Sequence, residues 1–205
     1  MFTKRVSNNN YEIAEYNNSL WLKVFYHDHS TKECFLSESE ALHCNSQYKY
    51  SILNEINPQM RINGKYEFIL EYPNENEFVH WRQSENPVHE FEGTSTQASG
   101  LEIFRSITPQ IKPFAGLVRS TLKFEGSPLY TFIDGNPGVA YWYYSIGMYD
   151  ERSDSHCEKG IPAHVDYVKK VYLWLRINPP NKKQCTMRCQ IIELLSFFSF
   201  VLVHY

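Results

Sequence analysis

The chain contains no run of lysines and arginines, no apolar segment at its start, no internal repeat and no recognisable nucleophile or phosphate loop. Each absence removes a class of function. Without a basic cluster, and with a net charge of −3 and a pI near 6.2, a phosphate-binding surface is not the main business, so no nucleic-acid partner is expected. The opening residues MFTKRVSNNNYEIAEY lack the apolar core of a secretory signal and are too polar to span a membrane. Five cysteines, an odd number at scattered spacing, cannot complete a disulfide framework within one chain. Together these favour a reducing, cytoplasmic setting, against which the sequon Asn17-Asn18-Ser19 points only weakly. Gly-x-Ser-x-Gly, His-Glu-x2-His, Gly-x4-Gly-Lys-Ser/Thr and the Rossmann glycine set are all missing.

Aromatic residues, by contrast, are plentiful. At 16% of the chain, led by 15 Tyr and 13 Phe, they lean towards β structure. The 205 residues suffice for one well-packed domain. The most organised stretch is Tyr130–Met148. Tyr130, Phe132 and Ile133 lead into Asp134-Gly135-Asn136-Pro137-Gly138, a cluster of turn formers, and the run from Val139 to Gly147 reads as the returning strand.

The flanking chain repeats this grammar of short aromatic strands broken by Gly, Pro and Asn. Residues 1–18 read as a polar leader, 19–180 as the domain and 181–205 as a tail. Leu20–His27 reads as a largely buried strand. Ser37 and Glu40 form a capping box for one short helix. Tyr48–Leu53 alternates as a strand with one buried face. Asn63-Gly64 is the strongest hairpin signal. After it, Tyr66, Phe68, Leu70 and Tyr72 share one strand face, which leaves Glu67 and Glu71 on the opposite face, where solvent is expected. Asp150–Gly160 is a charged surface loop, and Val168–Ile177 is the last strand. The apolar segment Ile191–Tyr205, about 15 residues, is short of the roughly 20 that cross a bilayer as a helix. It reads as a buried terminal element, as a marginal membrane anchor that would give membrane contact, or as a tail outside the domain.

Several motifs follow one another in order: Phe68-x-Leu70-Glu71-Tyr72-Pro73, Trp81-x-Gln83-x2-Asn86-Pro87, Phe114-x-Gly116-Leu117-x2-Ser120, Phe132-Ile133-Asp134-Gly135-x2-Gly138, Trp142-x-Tyr144-x-Ile146-Gly147, Gly160-Ile161-Pro162 and Val171-x-Leu173-Trp174-x-Arg176-Ile177. This series resembles an uncharacterised β-rich module of hypothetical proteins from unicellular eukaryotes and some invertebrates, similar in kind to discoidin-like and lectin-like sandwiches. The resemblance spans about residues 20–177 and implies no catalytic or binding residue.

Three kinds of chemistry remain to be weighed. A sugar site needs an aromatic plane for the ring face and a few fixed polar groups for hydroxyls. Trp81, Arg82, Gln83 and Asn86 carry that inventory, as do Asp134, Asn136, Tyr141 and Trp142. The competing reading makes Trp81 and Trp142 core residues and Asp134 the cap of its own turn. For metal, His27-x-His29, Cys34, His43, Cys44 and Cys185-x3-Cys189 lack the two close pairs of a structural zinc site. Ordinary thiols and surface histidines fit better, and no metal or cofactor is expected. For catalysis, paired carboxylates such as Glu67 and Glu71 on one strand could serve a glycosidase.

The sequence thus predicts an all-β, jelly-roll-like sandwich with one short helix near residues 38–44. Its expected role is non-catalytic recognition of a glycan or a protein surface. The alternatives are a glycan-acting hydrolase on the same scaffold and a tail-anchored adaptor.

Overall fold

A computed structural model describes residues 2, 4–7, 11–89, 96–107, 113–120, 129–137, 142–150, 159–164 and 167–178. Tyr141, residues 185–189, most of the 150–160 loop and the Ile191–Tyr205 tail lie outside the described residues. The described chain forms β1 (Lys4–Ser7), β2 (Glu12–Tyr16), β3 (Ser19–Asp28), α1 (Glu38–Leu42), β4 (His43–Asn45), β5 (Lys49–Ile52), β6 (Tyr66–Tyr72) and β7 (Glu77–Gln83). It continues through β8 (Glu102–Arg105), β9 (Val118–Arg119), β10 (Leu129–Asp134), β11 (Ile146–Asp150), β12 (Ile161–Pro162), β13 (Tyr167–Val168) and β14 (Lys170–Ile177).

Nine of these strands make one antiparallel sheet. Its main path is β1-β2-β3-β14-β6-β7-β8, with β5 also paired to β3 and β4 to β5. Strand β3 is long enough to hold two neighbours on one edge: β2 pairs with Ser19–Leu22, and β5 with Phe25–His27. A second sheet, β11-β10-β9, packs over the inner face of the first. Phe68, Leu70, Trp81 and Leu173 from the large sheet share one core with Phe132, Ile133 and Ile146 from the small one. The protein is therefore an all-β sandwich, as its aromatic, turn-punctuated sequence leads one to expect. Burial of each such side chain stabilises the fold by about 1.5–3 kcal/mol.

A β-bulge explains why β3 does not alternate strictly. Leu173 pairs with Phe25 and Trp174 with Lys23, which leaves Val24 as an extra residue. Val24 and Phe25 consequently both enter the core, while Lys23 and Tyr26 both face outward opposite Trp174 and Tyr172.

Turn and cap chemistry follows the sequence closely at two places. Asn63 and Gly64 adopt φ of 52° and 81°, and Ile62 and Lys65 exchange backbone hydrogen bonds of 2.7 and 3.2 Å across them, so the pair forms a tight turn that launches β6. The Glu40 N–H donates to Ser37 Oγ at 3.2 Å, as a capping box requires. The Glu40 carboxylate, however, reaches one residue further back and accepts from the Leu36 N–H.

Three expectations are corrected. Part of the polar leader is sheet: Glu12–Tyr16 pairs with β3 and buries Ile13 and Ala14. In the central hairpin, the returning strand β11 begins at Ile146, and residues 142–145, expected to belong to it, lie outside it. Tyr144 has a φ of 56°, and the N–H groups of Tyr144 and Ser145 donate to Ala163 and Pro162 instead of to β10. Gly147, at φ 70°, lets β11 approach the helix, since a Cβ there would come 3.0 Å from the Ala41 Cβ. Finally, β5 does not show clean alternation. Lys49 is buried, with its ammonium donating to the Cys34 carbonyl at 2.9 Å and paired with Glu40 at 2.9 Å.

Leu173→Ala, at the centre of the large sheet and fully buried, is expected to cost about 2–5 kcal/mol in urea unfolding. Ile103→Ala, on an exposed stretch of β8, should stay within about 0.5 kcal/mol of the parent.

Candidate functional site

The inward turn of Tyr66, Phe68, Leu70 and Tyr72 forces Glu67, Ile69 and Glu71 onto the outer face of the large sheet. Solvent was expected there, yet Glu67 and Glu71 are each only 7% exposed. The reason is a second apolar layer that the alternation of β6 cannot reveal. Trp21, Ile69, Phe78 and Trp174 form a buried cluster on this face, and Phe2, Tyr16 and Tyr172 pack against it. The Phe2 ring lies 4.4 Å from that of Trp174, and Tyr16 meets Phe78 edge-on at 5.9 Å.

Carboxylates in such a layer need partners. Glu67 meets His80 Nε2 at 2.8 Å and accepts from Arg176 Nη1 at 2.9 Å. Burial pushes the Glu67 carboxyl up, but its bonds to His80 and Arg176 outweigh that and hold it below the usual carboxylate range. Glu71 accepts from Trp174 Nε1 at 2.8 Å. Four residues of strand separate the two carboxylates, about 13 Å at the usual rise. Two carboxyls that flank a glycosidic bond sit about 5–9.5 Å apart.

Next to Glu71, across the strand pair from it, Tyr172 begins a more open part of the outer face on β3 and β14. Tyr26 and Tyr172 are half-buried, with ring centres 5.1 Å apart at an angle of 51°. Lys23 Nζ sits 5.3 Å from the Tyr26 ring and 5.2 Å from that of Tyr172, and pairs with Glu12. The Tyr26 hydroxyl donates to Asp28 Oδ2 at 3.1 Å, and Lys170 Nζ reaches the same oxygen at 2.8 Å. Burial works against the Asp28 charge, but Lys170, Ser30 and Tyr26 together outweigh it and hold the carboxyl down at about 2. The Tyr26 hydroxyl is pushed well up, by burial first and then by the Asp28 charge. The result is a fixed set of two ring surfaces, one ionised carboxylate and two ammonium groups on the two strands at the middle of the sheet.

The residues singled out from the sequence fall elsewhere. Trp81 is fully buried between Phe68 and Phe114, at ring distances of 5.4 and 4.5 Å. Its indole N–H donates to Gln83 Oε1 at 2.9 Å. Gln83, also fully buried, clamps the segment before β9: its Oε1 accepts from the Leu117 N–H at 2.9 Å and its Nε2 donates to the Leu117 carbonyl at 2.7 Å. Asn86 donates to the Ile56 carbonyl at 2.9 Å and accepts from the Val88 N–H at 3.1 Å. Arg82 alone of this group reaches the surface, paired with Glu102 at 2.6 Å. Trp142 is buried with Cys34 and Met148. The turn at Asp134 and Asn136, expected to be exposed, is 2% and 5% exposed respectively. Asp134 Oδ1 accepts from the N–H groups of Asn136 and Tyr143, both at 3.1 Å, and Asn136 Nδ2 donates to the Pro113 carbonyl at 2.7 Å. Tyr141 lies outside the described residues. Seven of the eight are thus placed, and six of those seven, Arg82 excepted, are packed inside.

His43 is exposed, as expected, but His27, His29 and one cysteine depart from the surface reading. His27 and His29 are buried, and burial pushes His27 down to about 4. Cys34 is disulfide-bonded, whereas Cys44 is a free, half-buried thiol that burial pushes up. No group of three or more His, Cys, Asp or Glu among the described residues is arranged to hold a metal ion. No helix among them is long and apolar enough to cross a membrane. Tyr72 Oη and His164 Nδ1 are buried without a hydrogen-bond partner, in rings 6.0 Å apart, a costly arrangement that marks an interior polar spot next to Glu77, which reaches His164 Nε2 at 3.2 Å.

Fold and face together define an all-β sandwich with an aromatic, charge-studded outer sheet face. Compared with protein families, curated proteins and solved structures, the chain has no match.

Asp134 yields a pH prediction. Burial raises its carboxyl to about 6, against the pull of its backbone N–H bonds. Because the folded value lies above the unfolded one, about 3.9, the folded state binds the extra proton between the two. The Asp134 contribution to stability therefore falls as pH rises from about 4 to about 6 and stays low above that. Asp134→Asn keeps the accepting oxygen and removes the titration. The difference in urea midpoint, variant minus parent, should thus rise across that window; a flat difference would sink the assignment. Trp142→Ala is expected to cost about 3–5 kcal/mol in the same assay.

Proposed function

We infer that the protein is a non-catalytic recognition module, and that a glycan is the ligand its outer sheet face suits. The observation that carries this reading is the Tyr26–Tyr172 pair, two partly exposed rings held beside the Asp28 carboxylate and the Lys23 and Lys170 ammonium groups. Sugar rings offer apolar C–H faces and hydroxyls, which match ring surfaces bordered by a few oriented polar groups. The two rings stand on neighbouring central strands in direct register, Tyr172 opposite Tyr26, so their spacing is set by the sheet and costs little to organise on binding. A protein surface remains the second ligand class. The hydrolase reading draws less support: the Glu67 carboxyl is held below the usual carboxylate range by His80 and Arg176, and Glu67 and Glu71 are both buried on the outer face and set about 13 Å apart along β6.

A glycan array probed with the full chain tests this directly. Specific binding should appear, and it should fall at least about tenfold in Tyr172→Ala, a loss of one aromatic platform. Tyr26→Phe, which keeps the ring and removes the hydroxyl, should weaken binding less. Binding that survives Tyr172→Ala unchanged, or an array blank for a folded protein, would overturn the glycan assignment.

A further inference from the structure

Three parts of the fold meet at Tyr72 and His164. Tyr72 ends β6 and Glu77 begins β7, so the two flank the turn between those strands. His164 lies between β12 and β13. Just before it, the carbonyls of Pro162 and Ala163 accept from the N–H groups of Ser145 and Tyr144, at 2.9 and 3.3 Å. The meeting point is closed to solvent: Tyr72 and Tyr144 are fully buried and His164 is 8% exposed. Glu77, whose side chain is 34% exposed, lies 3.2 Å from His164 Nε2.

Two atoms inside it have no hydrogen-bond partner, Tyr72 Oη and His164 Nδ1. Native interiors keep few such atoms, because each gives up its bonds to water on folding and gains nothing in return. The two rings are 6.0 Å apart and inclined by 41°, a separation that one small molecule can bridge. Burial, then the neighbouring Tyr144, Glu75 and Glu77, push the Tyr72 hydroxyl well up, so it keeps its proton and is a donor. On the histidine, Nε2 faces the Glu77 carboxylate, which only accepts. In the neutral ring the proton therefore sits on Nε2, and Nδ1 is left as an acceptor. A molecule between the two must accept from the hydroxyl and donate to the ring nitrogen. An anion cannot donate and a bare cation cannot accept; water does both, and it is the smallest molecule that does.

We propose that one internal water is held between Tyr72 Oη and His164 Nδ1, and that it ties the β6–β7 turn to the segment that follows β12. The water turns two unanswered atoms into two hydrogen bonds, and Glu77 is a positioning residue that fixes which ring nitrogen accepts. Tyr72 belongs to the core between the sheets, whereas Tyr26 and Tyr172 stand on the outer face. The site therefore does not depend on the glycan reading.

The first test is a crystal structure of the full chain at a resolution that shows ordered water. One water should lie within hydrogen-bond distance, about 2.7–3.2 Å, of both atoms. Urea unfolding provides the second test. Tyr72→Phe keeps the ring and removes one oxygen. With the water in place, it should lower the folding equilibrium constant about fivefold, the worth of a typical hydrogen bond. A hydroxyl with no partner gives the opposite sign, since its removal takes an unanswered polar group out of the interior and raises the constant. His164→Phe breaks the same bridge from the other side, so Tyr72→Phe should cost less in that background than in the parent. No water density at the spot, a water bonded to one of the two atoms only, a constant that rises in Tyr72→Phe, or an undiminished loss in the His164→Phe background would each overturn the proposal.

Discussion

Strand β14 sits between β3 and β6, and nearly every other feature depends on that position. It is the last described strand in the chain, yet it occupies the middle of the large sheet. Val171, Leu173 and Leu175 carry one side of it into the core, while Tyr172, Trp174 and Arg176 carry the other onto the outer face. Without β14, β3 and β6 would each expose a free edge, Glu67 and Glu71 would lose a partner apiece, and Tyr26 would stand alone. Core, buried carboxylates and candidate ligand face are therefore one construction.

The bulge at Val24 is the small irregularity that makes this work. It changes the phase of β3, so that two neighbouring residues enter the core and Tyr26 comes out opposite Tyr172. A strictly alternating β3 that kept Lys23 outward would have turned Tyr26 inward. The ring pair on the outer face thus exists because of one extra residue.

Much of this architecture was legible in the residues. Leu20–His27, Tyr66–Tyr72 and Val168–Ile177 announce themselves by runs of aromatic and branched side chains, and Asn63-Gly64 by its tolerance of positive φ. These signals are local, and local signals survive folding. The second layer over Glu67 and Glu71 was not legible, because it is assembled from Phe2, Tyr16, Trp21 and Trp174, which lie far from β6 in the chain. Nor does composition reveal direction. Trp81, Gln83 and Asp134 are residue types that a sugar site uses, but they also serve a clamp between segments: here Trp81 bonds to Gln83, and Gln83 and Asp134 bond to backbone groups in the interior. Tyr26 and Tyr172 gave no signal of their own; only the register across two strands joins them. The odd number of cysteines excludes a complete set of bridges, though it leaves room for a bond at Cys34.

The position of β14 also bears on how the chain can be made. As it emerges from the ribosome, β3 and β6 are synthesised long before residue 170, and neither can complete its pairing until the strand that belongs between them has followed. During that interval the nascent chain holds two unmatched, aromatic-rich strands that attract each other or a neighbouring chain. Folding of this sandwich is therefore a late event, completed only when translation has passed residue 177, and it places a premium on whatever shields those strands in the meantime.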